Sequence, residues 1–187
     1  MIEQVLQKSP FLQDCTIVTA FSEETVYYSS PEKIHQFLDF LKDSGEFQIL
    51  IDICGVHYPA NIKPFEVVYH LLSMTKNQRV RVIVQLNEDE EIHTSDGIYS
   101  SANWLERETY DMYGIVFSNS KDLRRILTDY NFEGFPLRKD FPLTGFTEVR
   151  YDPVKGEIVY EQVSLAQDYR EFDFKSNWIG QTLEKKK

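Results

Sequence analysis

Residues 47–86 read FQILIDICGVHYPANIKPFEVVYHLLSMTKNQRVRVIVQL, and this stretch decides the fold. In three runs, apolar residues recur at every second position, which is typical of β-strands because successive side chains point to opposite faces. The connectors 57–64 and 75–78 are short and rich in turn formers, which favours antiparallel neighbours. We therefore expect a small meander. Its predicted buried face comprises Phe47, Ile49, Ile51, Ile53, then Phe65, Val67, Tyr69, Leu71, then Val80, Val82, Val84 and Leu86.

Two helices are predicted beside these strands. Ser30 can cap the first helix, Pro31 suits its first position, and Gly45 can end it. The second helix spans about 98–112, with Gly114 as its C-terminal stop. Apolar residues recur with a helical period in both. They are Ile34, Phe37, Leu38 and Leu41 in the first helix, and Ile98, Ala102, Leu105, Thr109 and Met112 in the second.

The C-terminal part has weaker patterns. Residues 121–130 resemble one or two helical turns, while prolines and glycines at short intervals across 131–146 predict an extended path. TEVRYD and EIVYEQV around PVKG predict a hairpin, and Lys185–Lys187 end a tail that we expect to be frayed. The apolar members of the hairpin are Val149, Tyr151, Ile158 and Tyr160. The predicted fold class is α/β: a small mixed or antiparallel sheet packed with helices, plus a long extended C-terminal tail.

Charge divides the chain into two regions. The 187 residues carry a formal net charge of −10. Residues 1–120 contain 8 basic and 18 acidic side chains, whereas residues 121–187 contain 12 of each. We therefore expect an α/β domain over 1–120 and an extended region with different surface chemistry over 121–187. The acidic balance argues against nucleic acid as a partner.

Residues for cofactor chemistry are sparse. Cys15 and Cys54 cannot supply the four thiolates of an iron–sulfur cluster, and the eight scattered glycines form no phosphate-binding motif. The four histidines lack a paired-ligand spacing, so each is interpreted as structural or exposed. The acidic run Glu88–Glu91 is interpreted as an exposed loop. No signal peptide, transit peptide or membrane-spanning run is recognised, which predicts a soluble or peripheral protein.

Two segments combine dense charge with aromatic residues: ERETYDMYG at 106–114 and LRRILTDYNFEGFPLRKDFPLTGF at 123–146. Arg107 and Asp111 lie four residues apart, so they share one side of the predicted helix. The first segment is either a solvated helix flank or a functional surface. The second is either a long loop or a docking segment whose backbone groups find partners on another protein.

The same segments carry a family resemblance. WLERETYDMYGIVF, DLRRILTDYNFEGFPLRKDFPLTGFTEVRYD, LIDICGVHYP and FEVVYHLLS resemble the thirty-kilodalton subunit of respiratory complex I, the proton-pumping NADH:ubiquinone oxidoreductase. In mitochondrial genomes this subunit is called subunit 9. The resemblance covers about 45–175. It implies that the region 121–187 is a long extension that clasps the neighbouring quinone-site subunit. Two places depart from the family: Ser120 and Lys121 replace a His-Pro pair, and Phe135 replaces the His of a Gly-His-Pro triplet.

The resemblance implies a non-redox core subunit of the peripheral arm, which supports electron transfer from NADH to ubiquinone by positioning the quinone-site subunits. It implies no catalytic, cofactor-binding or metal-binding residue on this chain, because FMN and the iron–sulfur clusters belong to partner subunits. The family signature E-R-E-x-x-D begins at Glu106, ends at Asp111 and is followed by Met112 and Tyr113. The charged residues of this signature and the downstream arginine pair belong to a set that is expected to be structural or to form an interface. That set is Glu106, Arg107, Glu108, Asp111, Arg124, Arg125, Arg138, Lys139 and Asp140. Within this set, Glu106, Arg107, Glu108 and Asp111 are expected to brace the helix against the docking segment through ion pairs.

The expected partners are the quinone-site subunit of the forty-nine-kilodalton type and the neighbouring iron–sulfur subunits. Membrane association would arise only through the complex, on the matrix side of the mitochondrial inner membrane, with an organelle-encoded gene. The bacterial cytoplasmic face is the alternative. Two rival functions are a free-standing assembly or regulatory adaptor, and an acid–base enzyme that uses the carboxylates of ERETYD.

Overall fold

The computed structural model describes residues 2–20, 23–167 and 170. Two compact units are distinguished, one ending at Leu143 and one beginning at Thr144. The helices are α1 (Ile2–Leu6), α2 (Ile34–Asp43) and α3 (Ala102–Tyr113). The strands are β1 (Cys15–Ala20), β2 (Glu23–Tyr28), β3 (Ile49–His57), β4 (Phe65–Ser73), β5 (Gln78–Leu86), β6 (Ile92–His93), β7 (Phe117–Ser118), β8 (Thr147–Asp152) and β9 (Glu157–Gln162).

A five-stranded mixed sheet forms the centre of the first unit. Its strand order is β1-β2-β5-β4-β3, with β2 and β5 parallel and the other pairs antiparallel. The predicted meander over β3, β4 and β5 and the mixed sheet are confirmed. Every predicted core residue of β4 and β5 is buried, and Val68 and Ile83 on the opposite face of these central strands are buried as well. Strands β1 and β2 were not predicted.

The predicted face of β3 is wrong at its first half. The pairing of β3 with β4 shifts between Leu50 and Asp52, which marks a β-bulge at Ile51. A bulge inserts one residue and reverses the alternation on one side of it. As a result Leu50 and Ile53 are buried, whereas Ile49 and Ile51 are exposed.

Helix α2 covers the sheet with the apolar face that its period predicts. Ile34, Phe37, Leu38 and Leu41 are buried, and Phe37 stacks flat on Tyr28 of β2 with ring centroids 4.4 Å apart. The first predicted turn, at Pro31–Lys33, is a 3-10 helix, and the Ser30 side chain makes no capping hydrogen bond. Proline at the start is compatible with this tighter turn because it needs no amide partner.

Helix α3 packs along β3 and ends where the sequence predicts. Gly114 follows its last turn with φ of 77°. The Thr109 hydroxyl donates to the Ile53 carbonyl at 3.3 Å. At Gly55 a side-chain Cβ would lie 2.6 Å from the Tyr113 ring, so glycine allows this close helix–strand approach.

Residues 121–143, called the strap below, contain neither the predicted helical turns nor a long extended run. They form successive bends and turns, with backbone bonds such as Phe132 to Asp129 and Phe141 to Arg138. The strap belongs to the first compact unit. The domain boundary after residue 120 and the clasping role of 121–187 stay predictions.

The second unit contains the predicted hairpin of β8 and β9. Val149 pairs with Tyr160 and Tyr151 pairs with Ile158, so the four apolar side chains share one face, as predicted. The predicted tail from 171 to Lys187 lies outside the described residues. Over the part of the chain that the structure describes, no helix has the length and apolar character needed to cross a membrane.

Candidate functional site

Asp111 of α3 organises the start of the strap. Its carboxylate is completely buried and accepts the amides of Ile126, Leu127 and Thr128 at 3.0, 2.7 and 2.9 Å. The Thr128 hydroxyl and Arg125 Nη1, the latter at 2.7 Å, also donate to it. Burial alone would raise the pKa of Asp111, but these hydrogen bonds outweigh burial and hold it well below its usual range. Three consecutive amides that point at one carboxylate explain why this segment bends and forms no helix.

Arg107 binds the same part of the strap from one helical turn earlier. Its Nε and Nη2 donate to the carbonyls of Arg124 and Arg125 at 3.0 and 3.2 Å. The sequence predicts that Arg107 and Asp111 share a side of the helix, and both do face the strap. Arg107 binds carbonyl groups of the strap and Asp111 binds its amides, so the two side chains together hold the backbone of 124–128.

Phe135 lies between two arginines in the middle of the strap. The guanidinium of Arg125 is 5.2 Å from its ring centroid and that of Arg138 is 4.8 Å away. Arg138 also donates from Nε to the Tyr113 carbonyl at 2.6 Å and lies 4.8 Å from the Phe65 ring. Cation–π contacts of this kind strengthen when the cation is shielded from water, as it is at Arg138.

His57, at the end of β3, holds the next part of the strap. Its Nδ1 accepts the backbone amide of Lys139 at 3.0 Å, so the imidazole carries no hydrogen on that nitrogen. The ring is buried and stacks on Phe65, with centroids 4.6 Å apart. Asp140 Oδ1 lies 3.9 Å from the same nitrogen. Lys139 thus contributes its backbone amide to this contact, whereas Asp140 faces a ring nitrogen that carries no hydrogen and forms no ion pair with it.

Two of the predicted bracing residues act elsewhere. Glu106 is fully buried, and its carboxylate accepts the Ser95 amide at 2.6 Å and the hydroxyls of Thr94 and Ser95. Burial raises the pKa of Glu106, and the three hydrogen bonds offset this only in part. Glu108 is exposed. Among the described residues neither carboxylate forms an ion pair with the strap, so the ion pair between α3 and the strap is that of Asp111 with Arg125. A second ion pair holds the strap from outside the helix, between Arg138 and Glu88 at 3.3 Å.

The outward side of this region is apolar and aromatic. Trp104, Leu127 and Tyr130 are 62%, 62% and 78% exposed. Trp104 rests against the Arg107 guanidinium at 5.2 Å, and Arg124 is exposed beside them in a forked pair with Asp122 at 2.8 Å. These four side chains, Trp104, Arg124, Leu127 and Tyr130, are called the outward patch below.

Sequence reasoning missed two residues that contact the strap from outside and one aromatic residue within it. His57, Phe65 and Phe135 were interpreted as structural or left unassigned, although each contacts a predicted site residue. Phe135 stands where the family resemblance expects histidine, and that departure is the only sequence signal for it. His57 gives no local signal, because Lys139 lies 82 residues away along the chain.

Comparison with known proteins identifies the family. The sequence model of the family described as respiratory-chain NADH dehydrogenase, 30 Kd subunit, matches residues 27–147, which is well over half of the chain. The chain belongs to this family. The match contains strands β3, β4 and β5 of the sheet, helix α3 and the whole strap, so the site described above lies entirely within the family's own region.

Relatives of this 30 kDa family member are bacterial. The chain is 54% identical over 153 residues to an NADH-quinone oxidoreductase subunit of Ruegeria pomeroyi, covering 81% of this chain and 76% of the relative. It is 54% identical over 163 residues to the protein of the same name from a Methylobacterium species, covering 86% and 75%.

Two solved structures share the fold. The trypsin-resistant fragment of Nqo5 superimposes with a TM-score of 0.58 at 29% identity, covering 65% of this chain and 98% of that fragment. A chain of an archaeal respiratory membrane complex, the membrane-bound sulfane sulfur reductase, superimposes with a TM-score of 0.65 at 26% identity, covering 76% and 84%. The fold of the 30 kDa family therefore occurs in more than one respiratory complex.

Proposed function

We propose that this protein is a non-redox subunit of the peripheral arm of complex I, which supports electron transfer from NADH to ubiquinone by holding neighbouring subunits in position. The observation that carries the proposal is the outward patch. Trp104 of α3 supplies one of its side chains, and the other three belong to the strap, whose backbone is fixed from behind by Arg107, Asp111 and His57. Exposed tryptophan, tyrosine and arginine on a rigid support have the composition of an interface hot spot.

The family and its relatives support this proposal. The relatives are named as subunits of an NADH-quinone oxidoreductase, and the structural neighbours come from respiratory proteins. The arginines inside the site donate to protein carbonyls and carboxylates or stack on aromatic rings. This is the bonding of a structural support. The predicted site residues therefore act in assembly, while electron transfer takes place on other subunits.

The test replaces Trp104 and Tyr130 together by serine in the organism that makes the complex. Because both side chains face outward, the chain itself should fold normally, whereas the amount of assembled complex should fall several-fold. Native gels stained for NADH activity measure assembly, and NADH:quinone turnover is then normalised to the assembled complex. Turnover per complex should stay unchanged.

A matched control is Tyr58→Ser, which removes an exposed aromatic side chain from the β3–β4 connection, outside the patch. Arg138→Ala gives a second comparison, because it releases the strap from Tyr113 and Phe65 and should also lower assembly. Normal assembly combined with a lost quinone reaction in the Trp104 and Tyr130 variant contradicts the proposal and points to a catalytic role.

We propose the quinone-site subunit as the partner at the outward patch, with the iron–sulfur subunits as further neighbours. Cross-linking from a photoreactive residue at position 127, followed by mass spectrometry of the isolated complex, tests this choice. We also propose that the chain carries neither FMN nor an iron–sulfur cluster. Iron analysis and flavin fluorescence of the purified full chain test that prediction, and stoichiometric iron or flavin would contradict it.

The compartment is proposed from the sequence resemblance. The motif sequences match the mitochondrial form of the family. We therefore propose that the protein lies on the matrix side of the mitochondrial inner membrane. The relatives described above are bacterial, and the cytoplasmic face of a bacterial membrane is the alternative. Mapping the gene to an organelle or a bacterial chromosome decides between the two.

A further inference from the structure

The imidazole of His57 is enclosed between the sheet and the strap. The residue is 7% exposed, and its ring lies almost parallel to that of Phe65, at an angle of 14°. The Lys139 amide donates to Nδ1 at 3.0 Å. His57 ends β3 and Lys139 belongs to the strap, so this hydrogen bond joins the strap to the sheet.

The direction of this hydrogen bond fixes the protonation state of the ring. A backbone amide can only donate, so Nδ1 of His57 presents a lone pair and carries no hydrogen. A neutral imidazole has one hydrogen and one accepting lone pair, which places the hydrogen on Nε2. A proton that is added to the ring must therefore take the lone pair that holds the Lys139 amide. Protonation and this hydrogen bond exclude each other.

An acidic side chain lies close to the same nitrogen. Asp140 Oδ1 is 3.9 Å from Nδ1 of His57, which is beyond hydrogen-bond distance. Once Nδ1 carries hydrogen, the ring is a cationic donor, and a carboxylate accepts from it in a charge-assisted hydrogen bond of about 2.8 Å. The Asp140 side chain is 66% exposed, so it is free to move by the remaining distance of roughly 1 Å.

Two positive charges of the strap lie near the imidazole. The Arg138 guanidinium is 4.8 Å from the centroid of the Phe65 ring, on which His57 also stacks. Its charge is offset in part by the Glu88 carboxylate, 3.3 Å away. The Lys139 side chain is exposed, so water screens its charge. Neither cation therefore prevents the ring from taking up a proton.

The sheet and α3 bring two further titratable groups to this region. Glu66 of β4 points to the face of the sheet opposite the ring, because neighbouring residues in a strand alternate, and it accepts from Gln85 at 2.8 Å. Tyr113 of α3 stays uncharged at neutral pH, because burial raises the pKa of its hydroxyl. Asp140 is therefore the acidic group that a charged His57 ring reaches.

We propose that His57 is a pH-sensitive switch for the end of the strap. The neutral ring binds the Lys139 amide, whereas the protonated ring releases that amide and binds the Asp140 carboxylate. Histidine is the side chain whose ordinary charge change falls between about pH 5 and pH 8, so the exchange belongs to that range. The inference goes beyond the proposed function and does not depend on it.

The exchange of partners changes the shape of one turn. Residues 138–141 are closed by the hydrogen bond from the Phe141 amide to the Arg138 carbonyl at 3.2 Å, and the two alternative partners of the ring are the central residues of this turn. Phe141 also packs on Phe132, with ring centroids 5.9 Å apart, so the movement reaches the middle of the strap. A protein that binds one of the two positions better would bind with an affinity that depends on pH.

Nuclear magnetic resonance of the purified full chain tests the proposal. Labelling histidine with ¹⁵N reports which ring nitrogen carries hydrogen, and we expect Nε2 for His57 at pH 8. Labelling lysine reports the Lys139 amide, whose resonance is identified by its loss in Lys139→Arg. As the pH falls from 8 to 5, this resonance should move with the same midpoint as the imidazole. Its hydrogen-exchange protection, corrected for the intrinsic pH dependence, should fall about tenfold.

Three variants separate the switch from other effects of pH. His57→Gln keeps an oxygen that can accept the Lys139 amide but takes up no proton, so the amide resonance should stay constant from pH 8 to 5. Asp140→Asn removes the acceptor of the charged ring, so the transition should move to lower pH. His70→Gln is the matched control, because it changes a half-buried histidine of β4 that the strap does not use, and it should leave the transition unchanged.

The measurements on the unsubstituted chain decide the proposal even where a variant fails to fold. A His57 ring with hydrogen on Nδ1 at pH 8, or one that is still neutral at pH 5, overturns it. A Lys139 amide that does not respond when His57 gains its proton overturns it as well. An unchanged midpoint in Asp140→Asn shows that Asp140 is not the second partner and contradicts the exchange. Coincident transitions that are absent from His57→Gln support the switch.

Discussion

Asp111 shows how one side chain decides the path of a long segment. Its carboxylate takes five hydrogen bonds from the strap, including one from Arg125. The spacing of Arg107 and Asp111 predicts that both lie on one side of the helix, and that is confirmed. Their partners could not be predicted, because amides 15 to 17 residues away leave no periodic signal in the sequence.

Asp111→Asn should destabilise the first unit strongly. An asparagine presents an NH₂ group to donors and leaves Arg125 without its buried partner, which costs about 3–5 kcal/mol. Urea unfolding at pH 7 measures the change. Asp122→Asn is the control, since Asp122 also pairs with an arginine but in an exposed position. Equal destabilisation by both variants would contradict the central role of Asp111.

Lowering the pH should reduce the stability that the Asp111 carboxylate gives to the folded chain. The pKa of Asp111 is lowered in the folded chain, so its contribution to stability is complete above the unfolded pKa of about 3.9 and is lost as pH falls further. The difference in unfolding free energy between the parent chain and Asp111→Asn should therefore shrink below about pH 3.9. A difference that stays constant from pH 5 to pH 2 would contradict this assignment.

Glu106 should show the opposite dependence on pH. Because burial raises its pKa in the folded chain, its contribution is largest below the unfolded value of about 4.3 and is lost as pH rises through the folded value. The parent chain should thus gain stability relative to Glu106→Gln as pH falls from 7 towards 4.5. Chemical unfolding at several pH values, compared with Glu108→Gln at an exposed position, measures the effect.

At the scale of elements, regular patterns predicted regular structure. The core faces of β4 and β5 are correctly predicted, although Val68 and Ile83 on their opposite face are buried too. The bulge at Ile51 reversed half of β3, because a one-residue insertion in the pairing cannot be recognised from alternation alone. The predicted helical turns in 121–130 failed for a different reason: the carboxylate of Asp111 supplied the partners that a helix would have given to the amides of Ile126–Thr128.

The left-handed end of α3 provides a prediction about the strap. At Gly114 a Cβ would lie 2.5 Å from the Phe135 ring and 2.8 Å from Arg138, and φ is 77°. Gly114→Ala should cost about 1–2 kcal/mol for the backbone conformation alone, and it should also push the strap away from the helix. Trypsin should then cleave faster after Arg125 and Arg138.

Gly156→Ala is the matched control for this effect. Gly156 has a similar φ of 72°, but a Cβ there meets nothing within 4 Å. The substitution therefore adds only backbone strain, at a turn of the hairpin, and should leave cleavage in the strap unchanged. If both variants accelerate cleavage equally, backbone strain is responsible and the contact with Phe135 is not.

At the scale of the whole molecule, the hairpin of β8 and β9 has an apolar face that its own unit leaves exposed. Tyr151 and Ile158, which pair across it, are 62% and 61% exposed. A two-stranded hairpin is marginally stable in water, so an apolar face of this kind is expected to be covered in an assembly. That expectation follows the predicted clasping role of the C-terminal region.

Replacing Tyr151 and Ile158 together by serine should therefore reduce incorporation into the complex without changing urea unfolding of the first unit. Quantitative mass spectrometry of native-gel bands measures incorporation. The control, Arg150→Ala with Glu161→Ala, removes an exposed ion pair whose loss should matter little. Unchanged incorporation in the serine variant would show that this face is not part of the interface.

The carboxylate of Asp111 also sets an order of events. The strap cannot adopt its shape until α3 exists, because three of its amides find their acceptor only on the finished helix. A subunit that binds the strap consequently selects chains in which that helix has already formed. Under the proposed function, the contact that shapes the strap therefore also makes binding of the partner depend on a folded α3, so that an incompletely folded copy is not incorporated into the complex.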